Sequence, residues 1–423
     1  MKMKLQKIIS RFQKLHPKEI DLSLDRILEL CKKLGNPQDK IKAISVVGTN
    51  GKNSTIQATY AILKEANFKC NVYTSPHIQK INERFVFNNE ELSDDELADL
   101  LEEVEKINEN QPITVFEMLS ACFFYKAAQY PNNINLLESG LFHRFDAVNI
   151  LDTNLASIVT SISKDHLDWL PKDKQTIEQI VFEKTSTLLN SNIIVAKQNT
   201  KETMDCIKKT ISQNKSNKVF FNDDFSYSVN ENDFFYYEDK FGGLKLPMPN
   251  VLGQYQLENI STAIATLRTL DFGIKDEHIQ RGITKISSLA RLQEIKSGKL
   301  KELVKNNKLI VDGSHNEGGA KALNEYLKTL DCNKHVIIGM MANKEHEKYI
   351  SYFKDIASLT TIDLKTQPNS ISGKDLKEKF KSIPNVQYQP DIEQAIKSID
   401  LKEDDLLLIT GSLYGAAEVL NLN

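Results

Sequence analysis

Hydrophobic positions along the chain alternate between two spacings, one typical of buried strands and one typical of amphipathic helices. Helical spacing is clearest after Ser93, which with Glu96 forms a capping box for an amphipathic helix. Short apolar runs stand between the helical stretches, at residues 41–47, 70–73, 134–137, 157–161 and 193–196. Strands separated by helices predict βαβ units and a mostly parallel sheet.

The stretch 219–248 has a different pattern. Aromatic and polar residues alternate around Asn232-Asp233 and Gly242-Gly243, which predicts β-hairpins attached to the main sheet. Two helices are expected next, over 254–270 and 276–287. Beyond residue 288 the alternation restarts, with apolar runs at 309–312, 336–339, 360–364, 386–389 and 406–410. The second half therefore predicts a smaller, independent open α/β domain.

We therefore expect an α/β protein of two domains joined by a hinge. The first domain, residues 1–288, has a mostly parallel sheet with a small antiparallel subregion, and residues 298–423 form a Rossmann-like domain. Residues 289–297 are the hinge. A length of 423 residues fits two hydrophobic cores better than one.

Charge and composition exclude several classes of protein. The formal net charge is -3 with acidic and basic residues mixed, so no nucleic-acid surface is indicated. No apolar run approaches the roughly 18 residues of a membrane span, and the amphipathic start lacks the pattern of a signal peptide. Five cysteines without a Cys-x-x-Cys pair indicate a reduced protein of the cytoplasm.

The first apolar run leads directly into Gly48-Thr49-Asn50-Gly51-Lys52-Asn53-Ser54-Thr55. Glycines let backbone N–H groups converge on an anion at a helix N-terminus, and Lys52 would reach the β- and γ-phosphates of a nucleotide. Ser54 or Thr55 would offer an oxygen to Mg²⁺. These residues predict a phosphate-binding loop, or P-loop. The alternative is an ordinary strand-to-helix turn with an exposed lysine.

Three further candidates stand at predicted strand ends. Glu138 ends an apolar strand, where it would bind Mg²⁺ or simply cap a helix. His166 follows another strand, as a metal ligand or as a hydrogen-bonded structural histidine. The segment 312–316, Asp-Gly-Ser-His-Asn, leaves a strand of the second domain and is equally consistent with a turn and a helix N-cap.

Taken together and in order, these segments resemble the Mur-type ATP-dependent amide ligases, and among them the folylpolyglutamate synthase/dihydrofolate synthase branch. The most discriminating segments are Ser75-Pro76-His77, Asn82-Glu83-Arg84 and the segment 312–316. Others along the chain are 21–26, 48–54, 114–117, 146–149, 160–170, 183–184, 253–259, 290–293 and 411–414.

The resemblance implies roles for residues that bind the nucleotide and metal. It places ATP at Asn50, Gly51, Lys52, Asn53, Ser54, Asn259, Arg291 and Asp312, and Mg²⁺, in two sites, at Ser54, Ser75, Glu138 and His166. It implies catalytic roles for Lys52, His166, Lys184 and His315. Lys184 matches a lysine that CO₂ converts to a carbamate supporting the second metal. The alternative is an unmodified Lys184 on a solvated helix face.

The resemblance also implies the reaction. ATP phosphorylates a carboxylate, and an amine attacks the resulting acyl phosphate to form an amide. The substrates implied are L-glutamate with dihydropteroate or a reduced folate. The pterin side of the site is implied at Leu22, Ser23, Leu24, Thr114, Phe116 and Asp146. A monomer without nucleic-acid or membrane partners is expected.

The chain departs from the family's pattern at a few positions. Asn53 and Tyr255 replace a usual Gly and His, Glu317 replaces Pro, and bulky residues stand within 139–144 in place of a glycine-rich run. Three alternatives to the folate ligase stay open from the sequence. They are a Mur-type ligase acting on a cell-wall precursor, a P-loop kinase or NTPase, and a non-catalytic nucleotide-binding module.

Overall fold

The structure is a computed structural model that describes residues 2–18, 21–230, 234–381, 383 and 385–423. Its α-helices are α1 (Lys2–Leu15), α2 (Asp25–Lys33), α3 (Lys52–Glu65), α4 (Asp94–Asn108), α5 (Val115–Ala127), α6 (Ile177–Thr185), α7 (Lys201–Thr210), α8 (Gln254–Thr269), α9 (Asp276–Ile283), α10 (Lys299–Val304), α11 (Glu317–Lys328), α12 (His346–Ile350), α13 (Gly373–Lys379), α14 (Ile392–Ser398) and α15 (Leu413–Leu422).

Strands alternate with these helices through most of the chain. They are β1 (Lys42–Val47), β2 (Cys70–Tyr73), β3 (Phe85–Phe87), β4 (Glu90–Glu91), β5 (Ile134–Glu138), β6 (Ala156–Val159), β7 (Asn192–Val195), β8 (Asn217–Phe220), β9 (Phe225–Val229), β10 (Phe235–Asp239), β11 (Gly242–Leu246), β12 (Gln293–Glu294), β13 (Lys308–Val311), β14 (Lys334–Ile338), β15 (Ser358–Ile362), β16 (Val386–Gln389) and β17 (Leu406–Thr410).

The chain divides into two compact units. The first comprises residues 1–249 and 257–286, and the second comprises residues 250–256 and 287–423. Each unit is built around its own sheet, as the α/β patterns of the sequence predict. The assignment of residues 289–297 as a hinge stays a prediction.

The main sheet of the first unit has the strand order β4-β3-β2-β5-β1-β6-β7-β8. Six neighbouring strands of this sheet are parallel, namely β2, β5, β1, β6, β7 and β8. At one edge, β3 pairs antiparallel with β2 and with β4. The carboxyl ends of β2, β5, β1 and β6 therefore lie side by side. Ligands of open α/β sheets bind at such an edge.

Hydrophobic packing on the two faces holds this sheet. One cluster joins α1, α2, α4 and α5 to the sheet through residues such as Phe12, Leu101 and Phe123, all shielded from solvent. A second cluster packs α6 and α7 against the sheet through Val159, Ile180 and Ile207. Because both faces are covered, the central strands β1, β5 and β6 are buried along almost all of their length.

The second unit has a smaller sheet in the order β12-β13-β17-β14-β15-β16. All neighbouring pairs are parallel except β12 with β13. Its helical face packs Leu323, Val336, Phe353 and Leu376 into one buried cluster. Each parallel strand is followed by a helix, which confirms the predicted open α/β arrangement.

Three expectations need correction or completion. The hairpin strands β9, β10 and β11 do form, but as a separate three-stranded sheet instead of an extension of the main one. The predicted turn at Asn232-Asp233 lies at residues outside those described. Helix α9 ends at Ile283, four residues before the predicted 287, and the short hairpin β3–β4 was not predicted.

In the part of the chain that the structure describes, no helix is both long and apolar enough to cross a membrane.

A glycine contact between α3 and α9 offers a test of the fold. A Cβ on Gly282 would lie 2.6 Å from Cα of Ile62, so Gly282→Ala must push α9 away from α3. We expect a net loss of about 1–2 kcal/mol in the free energy of unfolding, because the clash outweighs the gain of ~1 kcal/mol in helix propensity. Urea denaturation measures the loss.

The matched control is Gly243→Ala in β11, where the nearest atom is 3.8 Å away. It should change the unfolding free energy by less than about 0.5 kcal/mol. Equal effects of the two substitutions would contradict the close packing of α3 on α9.

Candidate active site

The loop between β1 and α3 is pinned to the residues that follow β6. Gly48 has a φ of +152°, and a Cβ there would lie 2.0 Å from Oγ1 of Thr160, so no other residue fits. The backbone N–H groups of Thr49 and Asn50 donate to the carbonyl of Ser161 at 2.9 and 3.1 Å. These bonds fix the turn that precedes the helix.

Helix α3 begins directly at Lys52, and its N-cap Gly51 has a φ of +87°. The Lys52 ammonium donates to the carbonyls of Gly48 and Thr49, each at 3.2 Å. Asn259 of α8 lies against the turn, since a Cβ on Gly51 would stand 2.4 Å from its Oδ1. The turn, the lysine and the helix N-terminus together form the arrangement that binds phosphate groups.

Asn53 and Ser54 occupy the first turn of α3, and Ser54 is buried. Asn53 has helical backbone geometry, so its position does not require the conformational freedom of glycine. The departure from the family's glycine at this position therefore causes no backbone strain.

The ends of β2 and β5 bring Ser75 and Glu138 together. The backbone N–H of Ser75 donates to Oε2 of Glu138 at 3.1 Å, and Glu138 pairs in register with Val46 of β1. Oγ of Ser75 is buried and has no hydrogen-bond partner among the described residues. A buried hydroxyl without a partner beside a carboxylate is a set of hard oxygen donors that suits Mg²⁺.

No three histidine, cysteine, aspartate or glutamate side chains within the described ranges gather closely enough to hold a metal ion. A cation at this edge would therefore depend on hydroxyl oxygens and on the phosphate oxygens of a nucleotide, as Mg²⁺ sites commonly do.

The segment after β2 is held by the residues of its own motifs. The Glu83 carboxylate accepts hydrogen bonds from the backbone N–H groups of residues 78, 79 and 80. Nε of Arg84 donates to Nδ1 of His77 at 3.0 Å. Burial and the nearby Arg84 charge lower the pKa of His77 to about 4. These bonds fix the loop that carries Ser75.

Lys184 of α6 is 1% exposed and reaches the phosphate-binding loop. Its ammonium donates to the carbonyls of Gly48 at 3.0 Å and Leu141 at 2.7 Å. Burial lowers the pKa of Lys184 to about 7, and the charge of Lys52 acts in the same direction. The alternative of a solvated Lys184 is therefore wrong, because α6 turns this residue inward.

Glu183 anchors the segment that follows β5. Its backbone carbonyl accepts from the N–H groups of His143 and Arg144, and its carboxylate pairs with the Arg144 guanidinium at 2.7 and 2.8 Å. Phe142 lies between two site residues, with its ring 5.4 Å from Nζ of Lys184 and 6.4 Å from the His166 ring. The bulky side chains of this segment thus pack inward.

His166 has left-handed backbone geometry, with a φ of +58°, and its Nε2 is 4.0 Å from the Asp165 carboxylate. Asp165 also acts electrostatically on Lys184, raising its pKa against the effect of burial. His166 is thus a neighbour of Lys184 through Asp165 and Phe142, although its side chain is 33% exposed.

Asp146 and Phe116 meet beside Gly140, whose added Cβ would be 3.3 Å from an atom of each. The Asp146 carboxylate accepts from the backbone N–H of Gly140 at 2.7 Å and of Val148 at 3.1 Å. Burial raises the pKa of Asp146 to about 6. The site thus presents a carboxyl group and an aromatic ring on one side of Glu138.

Arg26 joins the segment 21–24 to the start of α5. It pairs with Asp21 at 2.8 Å and with Glu117 at 3.0 Å, and Glu117 forms a capping box with Thr114. Thr114 is therefore a helix cap whose hydroxyl donates to Glu117 at 2.7 Å. These two ion pairs tie the segment that contains Leu22, Ser23 and Leu24 to the first turn of α5.

In the second unit, Asp312 organises a strained turn that carries Arg291. Its carboxylate accepts from the backbone N–H groups of Leu292 at 2.9 Å and Ser314 at 2.8 Å. Ala290 and Leu292 have φ angles of +53° and +50°, which β-carbon-bearing residues seldom adopt. His315 follows, with its Nδ1 3.0 Å from the carbonyl of Gly313. The turn fixes the direction in which Arg291 leaves the backbone.

Comparisons with known proteins agree with this geometry. Residues 46–267 match the Mur ligase middle domain, and residues 299–413 match the Mur ligase, glutamate ligase domain. The "dihydrofolate synthase/folylpolyglutamate synthase" of Haemophilus influenzae is 30% identical over 97% of this chain and 95% of its own length. That of Escherichia coli is 29% identical over 98% and 94%.

Solved structures agree as well. Escherichia coli FolC in complex with DHPP and ADP superposes with a TM-score of 0.86 at 27% identity, covering 99% of this chain and 97% of the other. The bifunctional Yersinia pestis enzyme with AMPPNP and Mn has the same TM-score and coverage at 25% identity.

The chain belongs to the dihydrofolate synthase/folylpolyglutamate synthase family of Mur ligases. The recognition made from the sequence motifs is thereby confirmed, and so is the α/β fold class that it implied. Membership accounts for a phosphate-binding loop and a carboxylate at neighbouring strand ends of the first unit.

Most residues predicted for this family's site fall into two groups in the structure. In the first unit they line the carboxyl edge of the main sheet. In the second unit, Asp312 is hydrogen-bonded to the turn that carries Arg291, and His315 follows in the segment of Asp312. The individual ligand roles stay predictions.

Sequence reasoning gave no role to Arg26, Glu117 or Asp165. The signal for Glu117 was present, because Thr114-x-x-Glu117 is a capping box. Arg26 and Asp165 act across the fold, so no local pattern indicates them.

The low pKa of Lys184 makes stability depend on pH in a definite direction. In the unfolded chain this lysine has its ordinary pKa of 10.5, so between pH 7 and 10.5 the unfolded state binds the additional proton. The contribution of Lys184 to stability therefore rises with pH in that window. Between pH 7 and 9, wild type should gain about 2 kcal/mol relative to Lys184→Met.

Urea unfolding at the two pH values measures this gain. The exposed Lys69 supplies the control. The difference in unfolding free energy between wild type and Lys69→Met should be the same at pH 7 and pH 9. A difference for Lys184→Met that is equally independent of pH would mean that Lys184 titrates normally.

Proposed function

We propose that this chain is an ATP-dependent ligase that joins L-glutamate to dihydropteroate, and also to reduced folates, through an acyl phosphate. The observation that carries the proposal is the placement of the phosphate-binding turn, Ser75 and Glu138 at adjacent strand ends, in a chain that matches dihydrofolate synthase/folylpolyglutamate synthases along nearly its full length.

The nucleotide end of the proposed site is the turn before α3. Backbone N–H groups of residues 51–54 would hold the phosphates, with the Lys52 ammonium released from the carbonyls of Gly48 and Thr49 to neutralise the γ-phosphoryl group. Asn259 would contact the nucleotide from α8. In the second unit, Arg291, Asp312 and His315 would supply the remaining contacts. ADP and AMPPNP in the solved relatives support a nucleotide in this role.

Ser54, Ser75, Glu138 and His166 would hold Mg²⁺, in two sites. The unpartnered hydroxyl of Ser75 beside Glu138 supports the first site, and Mn in the Yersinia pestis structure supports a divalent ion in the family. The metal would screen negative charge as the γ-phosphoryl group transfers to a carboxylate.

The acceptor would bind on the side of Phe116 and Asp146. Its pterin ring would lie against Phe116, with the Asp146 carboxyl group as a hydrogen-bond partner and with Leu22, Ser23, Leu24 and Thr114 forming the rim. DHPP bound to the Escherichia coli relative supports a pterin ligand. The acceptor carboxylate would then point towards Glu138.

The reaction follows from these positions. An oxygen of the acceptor carboxylate attacks the γ-phosphorus of ATP, and ADP leaves, which forms an acyl phosphate. The amino group of glutamate then attacks the acyl carbon and phosphate departs, which leaves the amide. Both steps depend on positioning and on charge neutralisation more than on covalent help from the protein. A relative solved with L-glutamate bound supports the amino-acid substrate.

The alternatives lose support. A kinase, an NTPase or a nucleotide-binding module would leave the glutamate ligase domain at 299–413 without a role. A ligase for a cell-wall precursor does not fit relatives that share the whole chain and carry folate names. We retain a monomer, with residues 289–297 as a hinge, as part of the proposal.

The function is tested by following ADP formation with ATP, Mg²⁺, L-glutamate and dihydropteroate. We expect turnover only when both glutamate and dihydropteroate are present, and at least about a 1,000-fold loss for Lys52→Ala because the γ-phosphoryl charge is no longer neutralised. Lys64→Ala, on the same helix, should retain activity. ADP formation without an acceptor would overturn the proposal in favour of an NTPase.

We further propose that CO₂ converts Lys184 to a carbamate. The chemistry requires an unprotonated amine, which a pKa of about 7 supplies at neutral pH. The amine nitrogen bonds to carbon and releases one proton. The remaining N–H can donate to only one of the two carbonyls that now accept from Lys184.

Labelled bicarbonate provides the test. We expect a ¹³C carbamate signal with wild type that is absent from Lys184→Ala, and partial recovery of that variant's activity when acetate supplies the missing carboxylate. Full activity of wild type in CO₂-free buffer, without a carbamate signal, would show that Lys184 acts as an amine.

A further inference from the structure

The Ser-Pro-His and Asn-Glu-Arg segments identify the family, yet the site as described gives no chemical role to His77. We propose that the Nε2–H of His77 donates a hydrogen bond to an anionic oxygen of the acceptor's carboxylate, the group that becomes phosphorylated. The proposal rests on the proposed function and adds a substrate-contacting residue to it.

The tautomer of His77 follows from its partner. Nε of arginine always carries a hydrogen and cannot accept, so the 3.0 Å contact from Arg84 makes Nδ1 of His77 the acceptor. A neutral imidazole with an accepting Nδ1 carries its hydrogen on Nε2. Arg84 therefore makes His77 a donor in one fixed direction.

The Nε2–H group of His77 makes no hydrogen bond within the described part of the protein. Within the residues that the structure describes, Nε2 of His77 has no hydrogen-bond partner, and it is not among the buried polar atoms left unsatisfied. It is thus open to solvent or to a ligand. The loop around it is rigid, since Glu83 binds three consecutive backbone N–H groups and Thr74 donates to the carbonyl of Arg84.

The strand order decides which ligand this donor meets. Strand β5 with Glu138 separates β2 from β1, so the loop after β2 lies on the side of Glu138 away from the phosphate-binding turn. The end of β2 instead touches the acceptor side, where the Tyr73 and Phe116 rings are 6.2 Å apart. A carboxylate of the acceptor is therefore a better match than the γ-phosphate of ATP, which carries the same kind of oxygen.

Two substitutions of His77 distinguish the effect of its N–H donor from the effect of its ring shape. His77→Phe removes the donor, and we expect kcat/KM for dihydropteroate to fall roughly 10- to 100-fold while KM for ATP stays within about twofold. His77→Gln places an amide N–H near the Nε2 position and should retain most of the activity. His278→Phe, in α9, is the control for loss of an imidazole.

Nitrogen NMR of the imidazole supplies a readout that does not depend on activity. We expect a single Nε2–H tautomer for His77 in wild type and a mixture of tautomers in Arg84→Met, together with a raised KM for dihydropteroate. A purely structural role for His77 would change thermal stability and leave the split between the KM values of the two substrates unaffected.

The outcomes are distinct. If His77→Phe raises KM for ATP instead, His77 contacts the γ-phosphate and the proposed contact to the acceptor carboxylate is wrong. If His77→Phe is as active as wild type, His77 contacts neither substrate. If wild type forms no ADP with dihydropteroate and glutamate, the proposed function fails. A single Nε2–H tautomer would then still confirm the Arg84–His77 contact, but the carboxylate contact would fall with that function.

Discussion

The contact between Gly48 and Thr160 is the constraint on which the rest of the first unit depends. It brings the turn after β1 so close to the turn after β6 that no side chain fits between them. The Gly48 carbonyl is thereby placed where the ammonium groups of Lys52 and Lys184 both reach it. Helices α3 and α6, which are distant in sequence, are in this way both hydrogen-bonded to a single backbone oxygen.

Much of the fold could be predicted because its signals are local. Periodicity located most of the parallel strands to within one or two residues but missed β8, whose end lies in the stretch predicted as hairpins. The phosphate-binding turn follows from Gly51 and Lys52 at the start of a helix. The positions of Ser75 and Glu138 at strand ends are also local facts. What the sequence could not show is that β2 and β5 are neighbours, since strand order is set by the packing of the whole sheet.

The contacts that sequence reasoning could not find join residues that are far apart in the sequence. Arg26 binds a carboxylate on α5, ninety-one residues away. Lys184 donates hydrogen bonds to the distant carbonyls of Gly48 and Leu141. A lysine in an amphipathic helix gives no sign of which face it occupies when neighbouring positions are mixed. Its burial, and with it the fall of its pKa, emerges only from tertiary packing.

The anchoring of the segment after β5 has a consequence for how this site can change. The carbonyl of Glu183 binds residues 143 and 144 through their backbone N–H groups. Every residue type except proline has such an N–H group. These backbone hydrogen bonds therefore do not depend on which side chain residue 143 carries. Phenylalanine and histidine can therefore stand where the family has a glycine run, and substitutions at these positions change the packing beside Lys184 without removing the backbone bonds that hold the loop.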